Sequence, residues 1–234
     1  MRDPRERLIV ALDVSTAAAA RQIVAAVGEA ASTYKVGMQL YTAAGPDMVR
    51  DLVNSGRRVF LDLKYHDIPN TVAAAVREAA QLGVSMLTVH ASGGSKMLRA
   101  AADSALQASP ELLVLAVTVL TSIDDTVLAE IGAGPSVAEQ VLQLAALSIA
   151  SGCGGVVASP LEVEQLRGRL GRDFVIVTPG VRPAGSSGDD QARIATPAQA
   201  IAAGADYIVV GRPVTAARDP GMEAKAILEQ IKAA

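Results

Sequence analysis

Asp62-Leu63-Lys64-Tyr65-His66-Asp67-Ile68-Pro69-Asn70-Thr71 follows the apolar run Val59-Phe60-Leu61 and places three charged groups within six positions. Alternate side chains of a strand share a face, so Asp62 and Lys64 point the same way, and Asp67 comes just past the strand end. Charges at a strand terminus are costly to bury unless they pair, and clusters of this kind concentrate at functional sites. Lys35, near the end of another predicted strand, completes an array of two cations and two anions: Lys35, Asp62, Lys64 and Asp67. Alternating charges nearly neutralise one another, and each carboxylate stabilises the ammonium form of its lysine neighbour. An ammonium donates protons, whereas a Schiff-base lysine must be neutral to attack. The array therefore suits general-acid chemistry better than imine chemistry.

The same residues also admit plainer readings. The array could be a buried ion-pair network that fixes two strands, and Asp67 by itself reads as a helix N-cap before Ile68-Pro69. His66 and His90 read as hydrogen-bonded structural groups. Cys153, the only cysteine, sits among Gly152, Gly154 and Gly155 and reads as a small buried hydrophobe. No His/Cys/carboxylate spacing suggests a metal site, and no Ser/His/Asp triad stands out.

A second constellation is an anion grip. Gly211-Arg212 follows the apolar run Tyr207-Ile208-Val209-Val210, where glycine permits close backbone approach and a guanidinium can hold two phosphate oxygens. Arg182 and Gln191 flank the irregular segment 180–191, which contains Pro183 and two glycines besides Gly180 and reads as a mobile loop. Arg212 could instead form a surface ion pair.

The elements that must position these groups alternate along the chain. Short β-rich runs at 8–13, 33–37, 58–64, 85–90, 113–119, 154–158, 174–178 and 206–210 are separated by Ala-rich helical stretches. These cover 16–31, 44–55, 70–82, 95–108, 136–151, 161–170, 197–203 and 221–232. Eight strands alternating with eight helices imply parallel pairing. A closed (β/α)8 TIM barrel fits this count and a length of 234 residues better than an open doubly wound sheet. The first βα turn, Asp13-Val14-Ser15-Thr16, also lacks a dinucleotide-binding glycine fingerprint. No linker composition divides the series, so one domain over 1–234 is expected. In such a barrel Asp13, Lys35, Asp62, Lys64, Thr121, Arg182, Gly211 and Arg212 all fall on the rim formed by the carboxyl ends of the strands.

Composition narrows the class further. Half of the residues are apolar but only 3% are aromatic, so aliphatic side chains must fill the core. A net charge of −3 provides no general basic surface for nucleic acid. There is no signal-peptide pattern and no apolar stretch near the roughly 20 residues of a membrane span, so a soluble, cytoplasmic protein is expected.

The decapeptide 62–71 closely resembles the signature of the orotidine 5′-phosphate decarboxylase family. The similarity continues through Leu12-Asp13, Lys35-Val36-Gly37, Leu120-Thr121-Ser122, Thr178-Pro179-Gly180-Val181-Arg182, Asp189-Asp190-Gln191 and Val210-Gly211-Arg212. This resemblance implies conversion of orotidine 5′-phosphate to uridine 5′-phosphate and CO2 without metal or organic cofactor. It implies that Asp62 lies beside the departing carboxylate and that Lys64 stabilises and protonates the C6 carbanion. Lys35 and Asp13 would bind the ribose region, Thr121 would help position the pyrimidine through its backbone or hydroxyl, and Pro179 would bind the substrate. Arg182, Gln191, Gly211 and Arg212 would grip the phosphate. It further implies a homodimer in which Asp67, Ile68 and Thr71 reach into the neighbouring site. A Mg2+-dependent 3-keto-L-gulonate 6-phosphate decarboxylase shares the Asp-x-Lys-x-x-Asp pattern but has a Glu where this chain has Lys35, a cation that would repel the metal. A phosphosugar isomerase or epimerase and a non-catalytic nucleotide-binding module are the remaining alternatives.

Overall fold

The structure, a computed structural model, describes residues 3–183 and 195–234. Its strands are β1 (Leu8–Ala11), β2 (Thr33–Gly37), β3 (Arg58–Tyr65), β4 (Met86–His90), β5 (Leu113–Val117), β6 (Gly155–Val157), β7 (Val175–Thr178) and β8 (Tyr207–Val210). Each pairs in parallel with the next, and β8 pairs with β1, so the sheet closes into a barrel in sequence order. The expected (β/α)8 architecture is what the chain forms. β2 matches its predicted run and β3 extends one residue past it to Tyr65, while the other strands begin or end one or two residues inside theirs.

Among the described residues, eleven α-helices in chain order accompany the strands: α1 (Pro4–Arg7), α2 (Ala17–Val27), α3 (Met38–Asn54), α4 (Pro69–Gln81), α5 (Gly94–Ala108), α6 (Asp125–Glu130), α7 (Val137–Ala150), α8 (Val163–Leu170), α9 (Pro197–Ala202), α10 (Arg212–Thr215) and α11 (Pro220–Lys232). Side-chain caps hold several of the helix starts. Thr16 accepts from Ala19 N, Ser136 from Glu139 N and Asp219 from Met222 N. Two readings need correction. α3 begins at Met38 rather than 44, and its break at Gly45 (φ +66) before Pro46 is a kink, since proline lacks the N–H that a continuous helix needs there. The N-cap of α4 is Ile68 rather than Asp67, because the residue before a helix-starting proline is held extended and therefore becomes the cap. The short helices α1, α6 and α10 have too few residues for a periodic signal.

Period-two alternation divides the strand side chains between two cores. Leu8, Val10, Tyr34, Val36, Val59, Leu61, Leu87 and Val89 point outward to the helices. Ile9, Ala11, Phe60, Met86, Leu115, Val177, Tyr207 and Val209 fill the barrel interior. The interior is thus a packed plug, and the same alternation carried toward the carboxyl ends brings polar side chains above it. At the opposite end, Asp206 accepts from Ile176 N at 2.8 Å and from Arg167 at 2.6 Å, while Arg167 also donates to Gly204 O and Phe174 O. This pair fastens α8 to the amino ends of β7 and β8.

Cys153 is buried, and burial pushes its thiol up to about 12, in keeping with an unreactive core residue. Among the described residues, no helix is long and apolar enough to cross a membrane.

Candidate active site

A cavity of about 560 Å3 opens at the carboxyl ends of the strands. Phe60, Val117, Val157 and Val209 give it an apolar floor and walls, while Asp13, Lys35, Asp62 and Lys64 form a charged side. Thr121, Pro179, Arg182, Gly211 and Arg212 also line it, so the structure brings together nearly all the predicted rim residues. Gln191 lies outside the described residues.

The register explains how the charges meet. Lys35 pairs with Ala11 on one side and Phe60 on the other, one inward-facing level below Asp13 and Asp62. Its four-carbon stem lifts the ammonium to that upper level, where Nζ lies 2.8 Å from Asp13 Oδ1 and 3.7 Å from Asp62 Oδ2. Lys64 Nζ donates to the other Asp62 oxygen, Oδ1, at 2.9 Å. One carboxylate therefore sits between two ammonium groups. The Asp62 side chain is 12% exposed and that of Asp13 52%, so the inner carboxylate is the one removed from water. Losing one partner of so enclosed a pair leaves a desolvated charge, commonly a cost of about 3–5 kcal/mol.

Gly37 makes room for the Lys35 ammonium. It follows Lys35 by two positions on the same face, and a Cβ there would lie 2.9 Å from Lys35 Nζ and 3.1 Å from Asp13 Oδ1. The requirement is for space, since its φ of −93° is open to any residue.

Lys64 is the only non-glycine residue with positive φ (+52°) among the described residues. That conformation costs an L-residue roughly 1–2 kcal/mol and must be held by its surroundings. Thr88, inward-facing on β4, supplies contacts to both ends of the motif: its hydroxyl accepts from Lys64 N at 2.9 Å and donates to Asp62 Oδ1 at 3.0 Å. Neither Gly37 nor Thr88 was singled out as a site residue from sequence. A threonine at the inward position after Met86, in a strand otherwise apolar up to its terminal His90, was the available signal.

Asp67, Ile68 and Thr71 are exposed and do not line the cavity of their own chain. Asp67 Oδ1 accepts from Ile68 N at 2.6 Å, and Ile68 is 66% exposed. Within one chain the array thus consists of Lys35, Asp62 and Lys64 with Asp13, rather than with Asp67. Behind Lys64, the rings of His66 and His90 lie 5.5 Å apart. Burial first, then His66 and Lys64, hold His90 below the ordinary histidine value, against an opposing pull from Asp62. Among the described residues no three His, Cys, Asp or Glu side chains converge as metal ligands.

The ends of the segment between β7 and α9 are tied together: Val181 bridges Ala195, and Arg182 N donates to Ala195 O at 3.0 Å. Arg182 is thereby anchored beside the cavity, which Arg212 at the start of α10 also lines.

A closed parallel barrel with a charged cavity at the carboxyl ends of its strands defines a (β/α)8-barrel enzyme. The chain belongs to the orotidine 5′-phosphate decarboxylase / HUMPS family, whose model matches residues 6–227. It is 54% identical over 228 residues to orotidine 5′-phosphate decarboxylase of Halorhodospira halophila, covering 97% of each chain. It is 50% identical over 234 residues to the enzyme of the same name from Moorella thermoacetica, covering 97% of this chain and 93% of that one. The crystal structure of orotidine 5′-phosphate decarboxylase from Lactobacillus acidophilus matches with a TM-score of 0.87 at 42% identity, over 97% of this chain and 99% of that chain.

Proposed function

We propose that this enzyme decarboxylates orotidine 5′-phosphate to uridine 5′-phosphate and CO2, the last step of de novo pyrimidine synthesis. The observation that carries this reading is the Lys35–Asp62–Lys64 array beside the cavity, in a chain about half identical to proteins named for that reaction.

Loss of CO2 from C6 leaves an electron pair in an sp2 orbital with no ready sink in the ring. In the proposed mechanism the substrate carboxylate enters next to Asp62, where like charge disfavours it, while the Lys64 ammonium favours the charge developing at C6. C–C cleavage leaves the electron pair on C6, and Lys64 transfers a proton to it. Lys35 holds Asp62 from the far side and, with Asp13, binds the ribose. A preorganised ion array in an enclosed site acts most strongly on charge that forms during the reaction. Thr121 and Pro179 contact the base. Arg182, Gln191, Gly211 and Arg212 take the phosphate, whose remote binding energy orders the charged site. The chemistry needs neither metal nor organic cofactor. The alternative Mg2+-dependent reaction fits less well, because the Lys35 ammonium occupies the space between Asp13 and Asp62.

We also propose that the working form is a cytoplasmic homodimer in which Asp67, Ile68 and Thr71 complete the partner's site. Their exposure outside their own cavity is in keeping with that role.

The decisive experiment follows the absorbance change of orotidine 5′-phosphate with purified, chelator-treated protein. Sustained turnover with uridine 5′-phosphate as product is expected; folded protein without turnover would overturn the assignment.

A further inference from the structure

The β3–β4 ladder is interrupted where the site is built. Phe60 pairs with Met86 and Leu61 with Leu87, but the next pair is Tyr65 with Val89. Four steps along β3 thus match two along β4, and Asp62, Leu63 and Lys64 bulge opposite the single residue Thr88. A bulge takes backbone groups out of the regular ladder, and a buried N–H left without an acceptor is costly. Here Lys64 N finds its acceptor in a side chain, the Thr88 hydroxyl, at 2.9 Å.

Thr88 is fully buried, and a hydroxyl has one proton to give. That proton goes to Asp62 Oδ1 at 3.0 Å, the oxygen that also receives Lys64 Nζ. A closed circuit results: Lys64 backbone to Thr88, Thr88 to Asp62, and Asp62 to the Lys64 ammonium. It joins the two ends of a residue whose positive φ its own chemistry does not favour.

We propose that Thr88 is a positioning residue for the decarboxylation, its hydroxyl holding the bulge so that the Lys64 ammonium and the Asp62 carboxylate face the reacting carbon together. This role rests on the reading of Lys64 as the proton donor. Thr88 does not line the cavity and touches no substrate; it acts through the other two. Thr88→Val keeps the shape of the side chain but offers Lys64 N no acceptor and Asp62 no donor. The peptide must then turn or the bulge relax, and a displacement of about 1 Å in a reacting group can slow a reaction about 100-fold. The phosphate grip on the far rim is untouched.

The test compares wild type, Thr88→Val and Thr88→Ser in the orotidine 5′-phosphate assay, with folding monitored by circular dichroism and thermal unfolding. Wild-type turnover establishes the reaction separately, so failure of that reading appears in the wild type and failure of this one only in the variants. Thr88→Val is expected to lose about 10- to 100-fold in kcat with KM within about threefold, and Thr88→Ser, which restores the hydroxyl, to recover kcat to within about threefold of wild type. A merely structural threonine would lower stability without this split between kcat and KM and without rescue by serine. The proposal is overturned if Thr88→Val retains kcat within twofold, if its loss lies in KM alone, or if Thr88→Ser is as slow as Thr88→Val. Should Thr88→Val not fold, Thr88→Ala takes its place, with the same expected loss and the same overturning results.

Discussion

Lys64 joins two properties that oppose each other in an isolated peptide: a backbone conformation unfavourable for a lysine and an ammonium held beside a carboxylate with little access to water. The second is possible because Lys35, Asp13 and Asp62 bring the local charge near zero. Removing the ammonium therefore has a chemical and an electrostatic consequence. Lys64→Ala is expected to lower turnover by at least about 10³-fold, the scale of a general acid, while uridine 5′-phosphate still binds through the distant rim. Single-turnover assays together with calorimetric titration of the product check this, and near-normal turnover would remove Lys64 as the donor. Of this neighbourhood, the Asp62/Lys64 pair and Lys35 were legible from types and spacing. Gly37 and Thr88 were not, because their importance lies in what they leave room for and what they join.

At the level of elements, the barrel places its demands on backbone proximity as much as on apolar content. β6 is only three residues long and enters the wall through Gly155, where an added Cβ would lie 2.3 Å from Val175 O and 2.9 Å from a Leu115 methyl. The first contact is with backbone in the neighbouring strand and cannot be relieved by a rotamer change. Gly155→Ala is expected to destabilise the protein by about 1–3 kcal/mol or more, as overpacking does, and to shift the urea midpoint downward. An unchanged midpoint would show that β6 and β7 can separate without penalty. The strand and helix order was readable from the alternation of short β-rich runs with Ala-rich stretches. The kink at Gly45-Pro46 and the capping role of Ile68 were not, since each depends on backbone angles that proline sets for its neighbours.

Over the whole molecule, two expectations concern conditions and assembly. His90 titrates below 6.5 in the folded protein, so the folded state takes up its proton less readily than the unfolded chain. The linked stability is fully present above the unfolded value and is lost as pH falls from about 6.5 through the lower folded value. Urea unfolding at pH 7.5 and 5.5 should therefore show a smaller acid loss for His90→Gln than for wild type; equal losses would count against a histidine contribution. For the dimer, Lys64→Ala and Asp67→Ala chains are each expected to be nearly inactive alone. Mixed heterodimers would regain activity, because one of their two sites holds both native residues. Failure to regain it in confirmed heterodimers would rule out shared sites.

The sequence by itself determined the period-two alternation, the number of βα units and the polar residues at strand ends, because those are local properties of neighbouring positions. From these came the barrel and a rim carrying Asp13, Lys35, Asp62, Lys64 and Arg212. Tertiary structure decided which of those groups meet. Closure of β8 onto β1 and the β1–β2–β3 register bring Lys35 between Asp13 and Asp62, while Asp67 is left outside its own cavity. Thr88 reaches Lys64 across 24 positions of sequence at a point where the ladder slips. No short-range pattern encodes that contact, because it depends on strand register and on the reach of a single hydroxyl.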